Sequence, residues 1–390
     1  MLKNIKRFHS LLFLLSAVGV VLAVNISKGY VLAPDSYTFS IWADSLIKAQ
    51  WNVASFLESV RAIHPVQHYL IPVTILALAK NFAGEGWVQL FFGFNILLTI
   101  MIAGLFYYIS LALKICNLGT IIGCFSVFII STDFLIWPRY LLTDILFAFL
   151  VATLIACFIA TLFENSKVGK ILSLIVCLLI ILSRPTWIPY VTVTILFLLM
   201  PLKFIKPLPV VTILATGILS VAIAGASFVF LYSNIAEFNS FAAVDWLDQW
   251  VQGGVVVHDR PNTYVDNMTR NYVDLTYLYL KRVIYFFSFY STDWSFGHKA
   301  FNTIWMTSFW CCLILCFNRW DRLESAIKVL ICYLTALILG AALFQSFILI
   351  DYDWRYRFPL IVPMGIIISI GASNLLVLIA NRSQNLKNYY

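Results

Sequence analysis

Two aspartates could support acid–base chemistry. Asp35 follows Pro34 directly after the first apolar stretch, and Asp144 lies at the start of a later one. An ionisable side chain inside a membrane segment is costly unless a partner compensates it, so Asp144 is a candidate functional residue. Asp35 fits two roles equally well: it could cap the N-terminus of a helix, or its carboxylate could accept a proton from a reacting hydroxyl group.

Four arginines stand at the ends of apolar stretches: Arg139, Arg184, Arg355 and Arg357. Taken singly, Arg139 could form a structural ion pair with Asp144, its near neighbour along a helix, and the others could extend their charged ends to the membrane surface. Basic residues are rare at the outer boundaries of membrane proteins. A set of arginines at such boundaries therefore indicates a bound phosphate group.

A metal site is not predicted. His64 and His68 are four residues apart, which permits joint metal coordination, but no third ligand follows at a matching spacing. A contact with the membrane interface or with a phosphate is the favoured role for this pair. The eight cysteines lie mostly within apolar stretches and show no C-x-x-C spacing, which is typical of small membrane-embedded residues.

The elements that position these residues must lie in a membrane. Of the 390 residues, 62% are hydrophobic and 11% are charged, whereas a soluble domain has about 45–50% apolar and about 25% charged residues. This composition excludes a water-soluble globular enzyme. The net charge of +8 does not point to nucleic acid, because no basic run longer than two residues interrupts the apolar segments. The charges instead carry information about topology.

The apolar segments predict an all-α polytopic membrane protein with about ten transmembrane helices and juxtamembrane helices in the first outer loop. If the segment near 64–80 does not cross, the basic loops after the later spans fall on the side of the N-terminus, as the positive-inside rule requires. We also expect the first span to be retained, not cleaved as a signal peptide. The first predicted crossing ends at Val24. The other predicted crossings lie near 87–113, 117–136, 140–163, 171–183, 186–201, 210–232, 300–317, 325–349 and 358–380.

Three regions are expected along the chain. Residues 1–232 form a membrane module whose first outer loop, 25–86, holds an amphipathic helix with Phe39 and Trp42 on its apolar face. Residues 233–299 form a second outer loop region, and residues 300–390 form the C-terminal membrane helices.

The order of the short motifs resembles the GT-C superfamily of integral membrane glycosyltransferases. The motifs are an acidic residue after the first span, His64-Pro65 before a juxtamembrane helix, and Arg-Tyr-x-x-Thr-Asp at 139–144. Ser-Arg-Pro-Thr at 183–186 and Arg-Tyr-Arg-Phe-Pro-Leu at 355–360 complete the set. The similarity is to the bacterial branch that uses polyprenyl-phosphate sugars, related to protein O-mannosyltransferases and the lipid A aminoarabinose transferase.

The resemblance implies a role for each matching position. Asp35 matches the catalytic base of the first loop, although Ser36 stands where many members have a second acidic residue. Asp144 matches the second acidic residue of the cavity. His64 matches a residue near the donor phosphate, and Arg357 or Arg355 matches the late arginine of the family.

The expected activity is transfer of a sugar from a polyprenyl-phosphate donor to a hydroxyl of a lipid, glycan or protein acceptor. Nucleotide sugars stay in the cytosol, so a transferase on the outer face needs a donor presented by the membrane. Asp35 would accept the acceptor's proton, with Asp144 as support, in one inverting displacement. The expected phosphate ligands are Arg357, Arg355, His64, Arg184 and Arg139.

The expected location is the plasma membrane, with the site facing the periplasm or the cell exterior. No cofactor is required by this chemistry, although it would tolerate a divalent metal. Two other functions fit a polytopic chain: an O-antigen polymerase or ligase, which would lose little activity without Asp35, and a flippase or transporter of lipid-linked sugars. The second is expected to show internal repeats and polar residues near mid-span, and the sequence shows neither.

Overall fold

A computed structural model describes residues 2–60, 66–199, 272–290, 294–348 and 354–387. His64, the predicted span near 210–232 and much of the predicted loop 233–299 lie outside the described residues. The described secondary structure is helical apart from one isolated bridge. In chain order the helices are α1 (Leu2–Lys28), α2 (Pro34–Lys48), α3 (Val53–Val60), α4 (Leu70–Ala83), α5 (Trp87–Ala112), α6 (Asn117–Phe125), α7 (Asp133–Ile136), α8 (Asp144–Glu164), α9 (Lys167–Ile181), α10 (Ile188–Leu199), α11 (Tyr272–Phe286), α12 (Phe296–Asn318), α13 (Ser325–Ile348) and α14 (Ile361–Lys387).

Several of these helices are suited to crossing a membrane. Within the described part, six helical segments are long and apolar enough, and the bent pair α6 and α7 makes a seventh if it counts as one span. The predicted spans at 171–183 and 186–201 correspond to α9 and α10, with 15 and 12 residues. A helix of 15 residues such as α9 is about 22 Å long, shorter than the hydrocarbon core of about 30 Å, and α10 is described only as far as Leu199. The fold is therefore that of a helical polytopic membrane protein, while the count of ten crossings stays a prediction.

One large hydrophobic core joins both ends of the chain. It includes Val21 of α1, Phe147 of α8 and Met364 of α14. Helix α14 packs against α6 and α12, and small residues allow the backbones to approach closely. A Cβ atom added to Gly371 of α14 would lie 2.7 Å from the backbone of Cys312 in α12. Close contact through small residues is how membrane helices associate without a hydrophobic driving force.

Helices α2 to α4 and the first turns of α5 form a second, smaller core. This core includes Trp42, Leu76 and Phe91. This core covers one end of the bundle, which we call the site end: α1 ends there, α8 begins there and α9 ends there.

Helix α4 begins at the site end. Near its beginning, the Ile71 amide donates to the Leu182 carbonyl just after α9. Its last residues are followed by Gly84–Gly86 and then by the first residue of α5. Two turns into α5, the Asn95 side chain donates to the Tyr140 carbonyl just before α8. Helix α4 therefore begins beside the end of α9 and leads through Gly84–Gly86 into α5, and that the segment near 64–80 does not cross the membrane stays a prediction.

The chain around Asp144 differs from the prediction of a span over 140–163. Residues 137–139 form a single 3₁₀ turn, residues 140–143 are not helical, and α8 begins at Asp144 itself. Pro138 lies in that turn, where its missing amide hydrogen breaks the helical hydrogen-bond pattern. Asp144 and Arg139 therefore belong to different elements, and the expectation that they are neighbours on one helix is wrong.

Candidate functional site

Backbone pairing brings the two aspartate-bearing segments together. Val31 and Tyr140 form an isolated parallel bridge, in which the Val31 amide donates to the Arg139 carbonyl over 2.8 Å and the Leu141 amide donates to the Val31 carbonyl over 3.1 Å. Asp35 lies four residues after Val31, and Asp144 lies four residues after Tyr140.

Ser36 fixes the first turn of α2. Its buried hydroxyl accepts a hydrogen bond from the Ala33 amide and donates one to the Leu141 carbonyl over 2.8 Å. Ala33 is the N-cap residue and Pro34 follows it, so the helix start is stabilised by Pro34 and Ser36. The alternative that Asp35 caps the helix is therefore wrong, and its carboxylate is left for another partner.

That partner is Arg355. An Arg355 Nη2 nitrogen donates to Asp35 Oδ2 over 3.1 Å, although the two residues are far apart in the sequence. The Asp35 side chain is 50% exposed, and that of Arg355 is 14% exposed. The carboxylate is thus oriented by a cation and still open to a second molecule.

Asp144 pairs with Arg184, which lies in the break between α9 and α10. Arg184 Nη1 donates to Asp144 Oδ1 over 2.5 Å, and both side chains are buried. Burial alone would lower the pKa of Arg184, but the charges around it, chiefly Asp144, raise it above its usual value. Arg184 therefore remains a fixed cation. The expected ion pair between Arg139 and Asp144 is replaced by this one.

Two tyrosines connect the ion pairs. The guanidinium carbons of Arg184 and Arg355 each lie 5.4 Å from the centre of the Tyr356 ring, within the range of a cation–π interaction. Tyr69, just before α4, lies within electrostatic range of Arg184, Arg355, Asp35 and Tyr356. Asp144 also interacts electrostatically with Arg355. These six residues form one cluster at the site end, which we call the paired-charge cluster.

Arg357 contacts α11 and α12. Its guanidinium donates to Asn302 Oδ1 over 2.6 Å and to the Phe286 carbonyl over 3.4 Å, both on other helices. Residues 354–360 form a 3₁₀ helix, in which side chains two positions apart point about 120° away from each other. Arg355 and Arg357 consequently point in different directions, and that both contact one donor phosphate stays a prediction.

The remaining predicted residues have separate positions. Arg139 contributes its backbone carbonyl to the bridge with Val31. His68 is half-buried, with its Nδ1 atom 3.2 Å from the Ile181 carbonyl and its ring near Trp187, so it lies beside the end of α9. His64 lies outside the described residues, so its expected role stays a prediction.

The cluster resembles neither a metal centre nor an enclosed apolar pocket. Among the described residues, no group of three or more His, Cys, Asp or Glu side chains could hold a metal ion. A small pocket adjoins the cluster beneath α2, where it is lined by Ser36, Phe39, Leu76, Phe91, Leu141 and Thr143. Its lining is mostly apolar and includes none of the four charged side chains.

Sequence patterns did not single out Tyr69 or Tyr356. Tyr356 stands between two arginines in the sequence, and this alternation is the one local signal that could have identified it. Tyr69 belongs to an apolar segment, where aromatic residues usually serve packing. Arg282 of α11 was also missed: it is fully buried and donates to the Ser346 carbonyl.

Comparisons with known proteins do not identify a relative. No protein-family model matches the sequence. The search of curated proteins found no match, and no solved structure matches the chain.

Proposed function

We propose that the protein is a membrane glycosyltransferase of the GT-C type, which transfers a sugar from a polyprenyl-phosphate donor to a hydroxyl acceptor on the extracytoplasmic face. One observation carries the proposal: a half-exposed carboxylate, Asp35, is held by Arg355, and Arg355 also lies within electrostatic range of the buried pair Asp144 and Arg184. The acceptor would be a lipid, a glycan or a protein. The plasma membrane is the expected location.

Asp35 is the residue suited to act as the general base. Its side chain is 50% exposed, so an acceptor hydroxyl could approach within hydrogen-bond distance. Arg355 holds one carboxylate oxygen, which orients the group. In the proposed reaction the acceptor oxygen bonds to the anomeric carbon and its proton passes to Asp35. The bond from that carbon to the phosphate oxygen breaks at the same time, and its electron pair leaves with the lipid phosphate.

The leaving phosphate needs fixed positive charge. Arg184 and Arg355 supply it at positions set by Asp144 and Asp35 before any substrate binds, and groups preorganised in this way stabilise developing charge without reorganisation. Asp144 is nearly enclosed, with 4% of its side chain exposed. We therefore propose it as a positioning residue for Arg184, and Arg357 as a structural link to α12. His64 remains a proposed phosphate contact.

The proposed function is tested by replacing Asp35 with Asn and by using Asp44 as a matched control. Asp44 lies on the same helix, forms a 2.7 Å ion pair with Lys80 and is also 50% exposed. Cells lacking the gene would be complemented with the wild type, with Asp35→Asn or with Asp44→Asn. Mass spectrometry would then quantify envelope glycans and lipid-linked sugars, with protein levels checked by immunoblotting.

We expect cells without the gene, and cells with Asp35→Asn, to lack one glycan product and to accumulate a lipid-linked sugar. The wild type and Asp44→Asn should restore the product. Full restoration by Asp35→Asn would exclude Asp35 as the base and would favour a polymerase or ligase. A lipid-linked sugar accumulating on the cytosolic leaflet, with no glycosyl transfer by the purified protein, would favour a flippase.

A further inference from the structure

The Tyr69 ring is held firmly at the edge of the paired-charge cluster. Tyr69 is the last residue of the turn Val66–Tyr69. The centre of its ring lies 5.2 Å from that of Phe39 and 5.7 Å from that of Trp42, both on α2. These contacts fix where the ring lies, and so they also fix where its hydroxyl points.

Among the residues that the structure describes, the hydroxyl of Tyr69 has no partner that explains its position. Tyr69 is the N-cap residue of α4, but its side chain makes no capping hydrogen bond. Among the described residues, the hydroxyl makes no hydrogen bond, although Arg184, Arg355 and Asp35 all lie within electrostatic range. The residue is half-buried. A ligand that enters the cluster can therefore reach this hydroxyl.

The neighbours of Tyr69 indicate which ligand atom it would meet. The guanidinium groups of Arg184 and Arg355 are donors with no acceptor atom, and a phenol hydroxyl can donate as well. A ligand oxygen that accepts from all three groups must be rich in lone pairs and negative charge, which describes a phosphate. A sugar hydroxyl, in contrast, has a proton to donate and would be better matched to the Asp35 carboxylate.

We propose that Tyr69 contacts the substrate and that its hydroxyl donates a hydrogen bond to the phosphate of the lipid donor, beside Arg184 and Arg355. This inference rests on the proposed function and names a further ligand of the same site. The hydrogen bond gains strength as negative charge develops on the leaving phosphate. Tyr69 thus serves both binding of the donor and departure of the leaving group.

The test removes the hydroxyl alone. The full-length wild type, Tyr69→Phe and Tyr37→Phe would be purified in lipid nanodiscs, and binding of a polyprenyl monophosphate and of the matching polyprenol would be measured. Phenylalanine retains the ring contacts with Phe39 and Trp42. Tyr37 is a suitable control because it lies on α2 and is 60% exposed, outside the paired-charge cluster.

We expect Tyr69→Phe to weaken binding of the monophosphate about tenfold, equivalent to about 1.4 kcal/mol, and to leave binding of the polyprenol unchanged. Tyr37→Phe should alter neither. Unchanged monophosphate binding by Tyr69→Phe, or equal weakening of both lipids, would overturn the role of Tyr69 while leaving the proposed function intact. If the wild type itself does not prefer the monophosphate to the polyprenol, the proposed function fails, and the inference fails with it.

Discussion

The Asp144 carboxylate and the Arg184 guanidinium form a buried ion pair between the first residue of α8 and the break that separates α9 from α10. The Asp144 side chain is 4% exposed and that of Arg184 is 7% exposed. Removing one partner would leave the other charge buried without compensation, which is far more costly than losing a pair at the surface.

We predict that Asp144→Asn and Arg184→Gln each lower the free energy of unfolding by about 3–5 kcal/mol. The double variant should lose less than the sum of the two single losses, because neither charge then remains unpaired. Thermal unfolding of the purified proteins in one detergent would give the four values of this cycle. Additive losses would show that the pair contributes no coupling energy.

Replacing Arg355 should affect activity more than stability, in contrast to replacing Asp144 or Arg184. Its partner Asp35 is 50% exposed, and pairs that are open to water stabilise proteins by about 0–1 kcal/mol. We therefore predict that Arg355→Gln changes the unfolding temperature little but lowers the proposed sugar transfer at least tenfold, because the proposed phosphate contact is lost and Asp35 is no longer oriented. Transfer and unfolding would be measured on the same preparation. A large fall in stability with normal transfer would contradict the assignment.

The residues of the cluster could be predicted from the sequence better than their pairing. Asp144 stands out because a charge inside a membrane segment is costly, and Arg184 and Arg355 stand out because arginines are rare at outer span ends. Asp35 stands out as an acidic residue directly after the first apolar stretch, where it could act as a base. Which cation meets which carboxylate depends on helix packing. Arg139 was the nearer candidate for Asp144 along the chain, but a proline-containing turn separates the two.

The fold was predictable to a similar degree. Hydrophobic segments located the helices that are long and apolar enough to cross a membrane. They could not give the 3₁₀ helix over 354–360, because its tighter winding leaves the apolar pattern nearly unchanged over so few residues. The divergence of Arg355 and Arg357 depends on that winding, so the sequence alone suggested that both face one site.

Close packing of α12 and α14 gives a prediction that is independent of the charged cluster. A Cβ atom at Gly371 would meet the Cys312 backbone at 2.7 Å, whereas one at Gly104 of α5 would meet nothing within 4 Å. We predict that Gly371→Ala lowers the free energy of unfolding by about 1–3 kcal/mol through overpacking. Gly104→Ala should be neutral or stabilising, because alanine favours the helix. Equal unfolding temperatures for the two variants would show that α12 and α14 are not in close contact.

The pairing of Asp35 with Arg355 also bears on how the protein is made. These residues are separated by 320 positions, so the carboxylate near the beginning of the chain emerges from the ribosome long before its cation is synthesised. Until the closing helices have been inserted, Asp35 must rely on water or lipid headgroups for compensation. The pair is consequently a product of late assembly, and a nascent chain that stops before Arg355 cannot contain it.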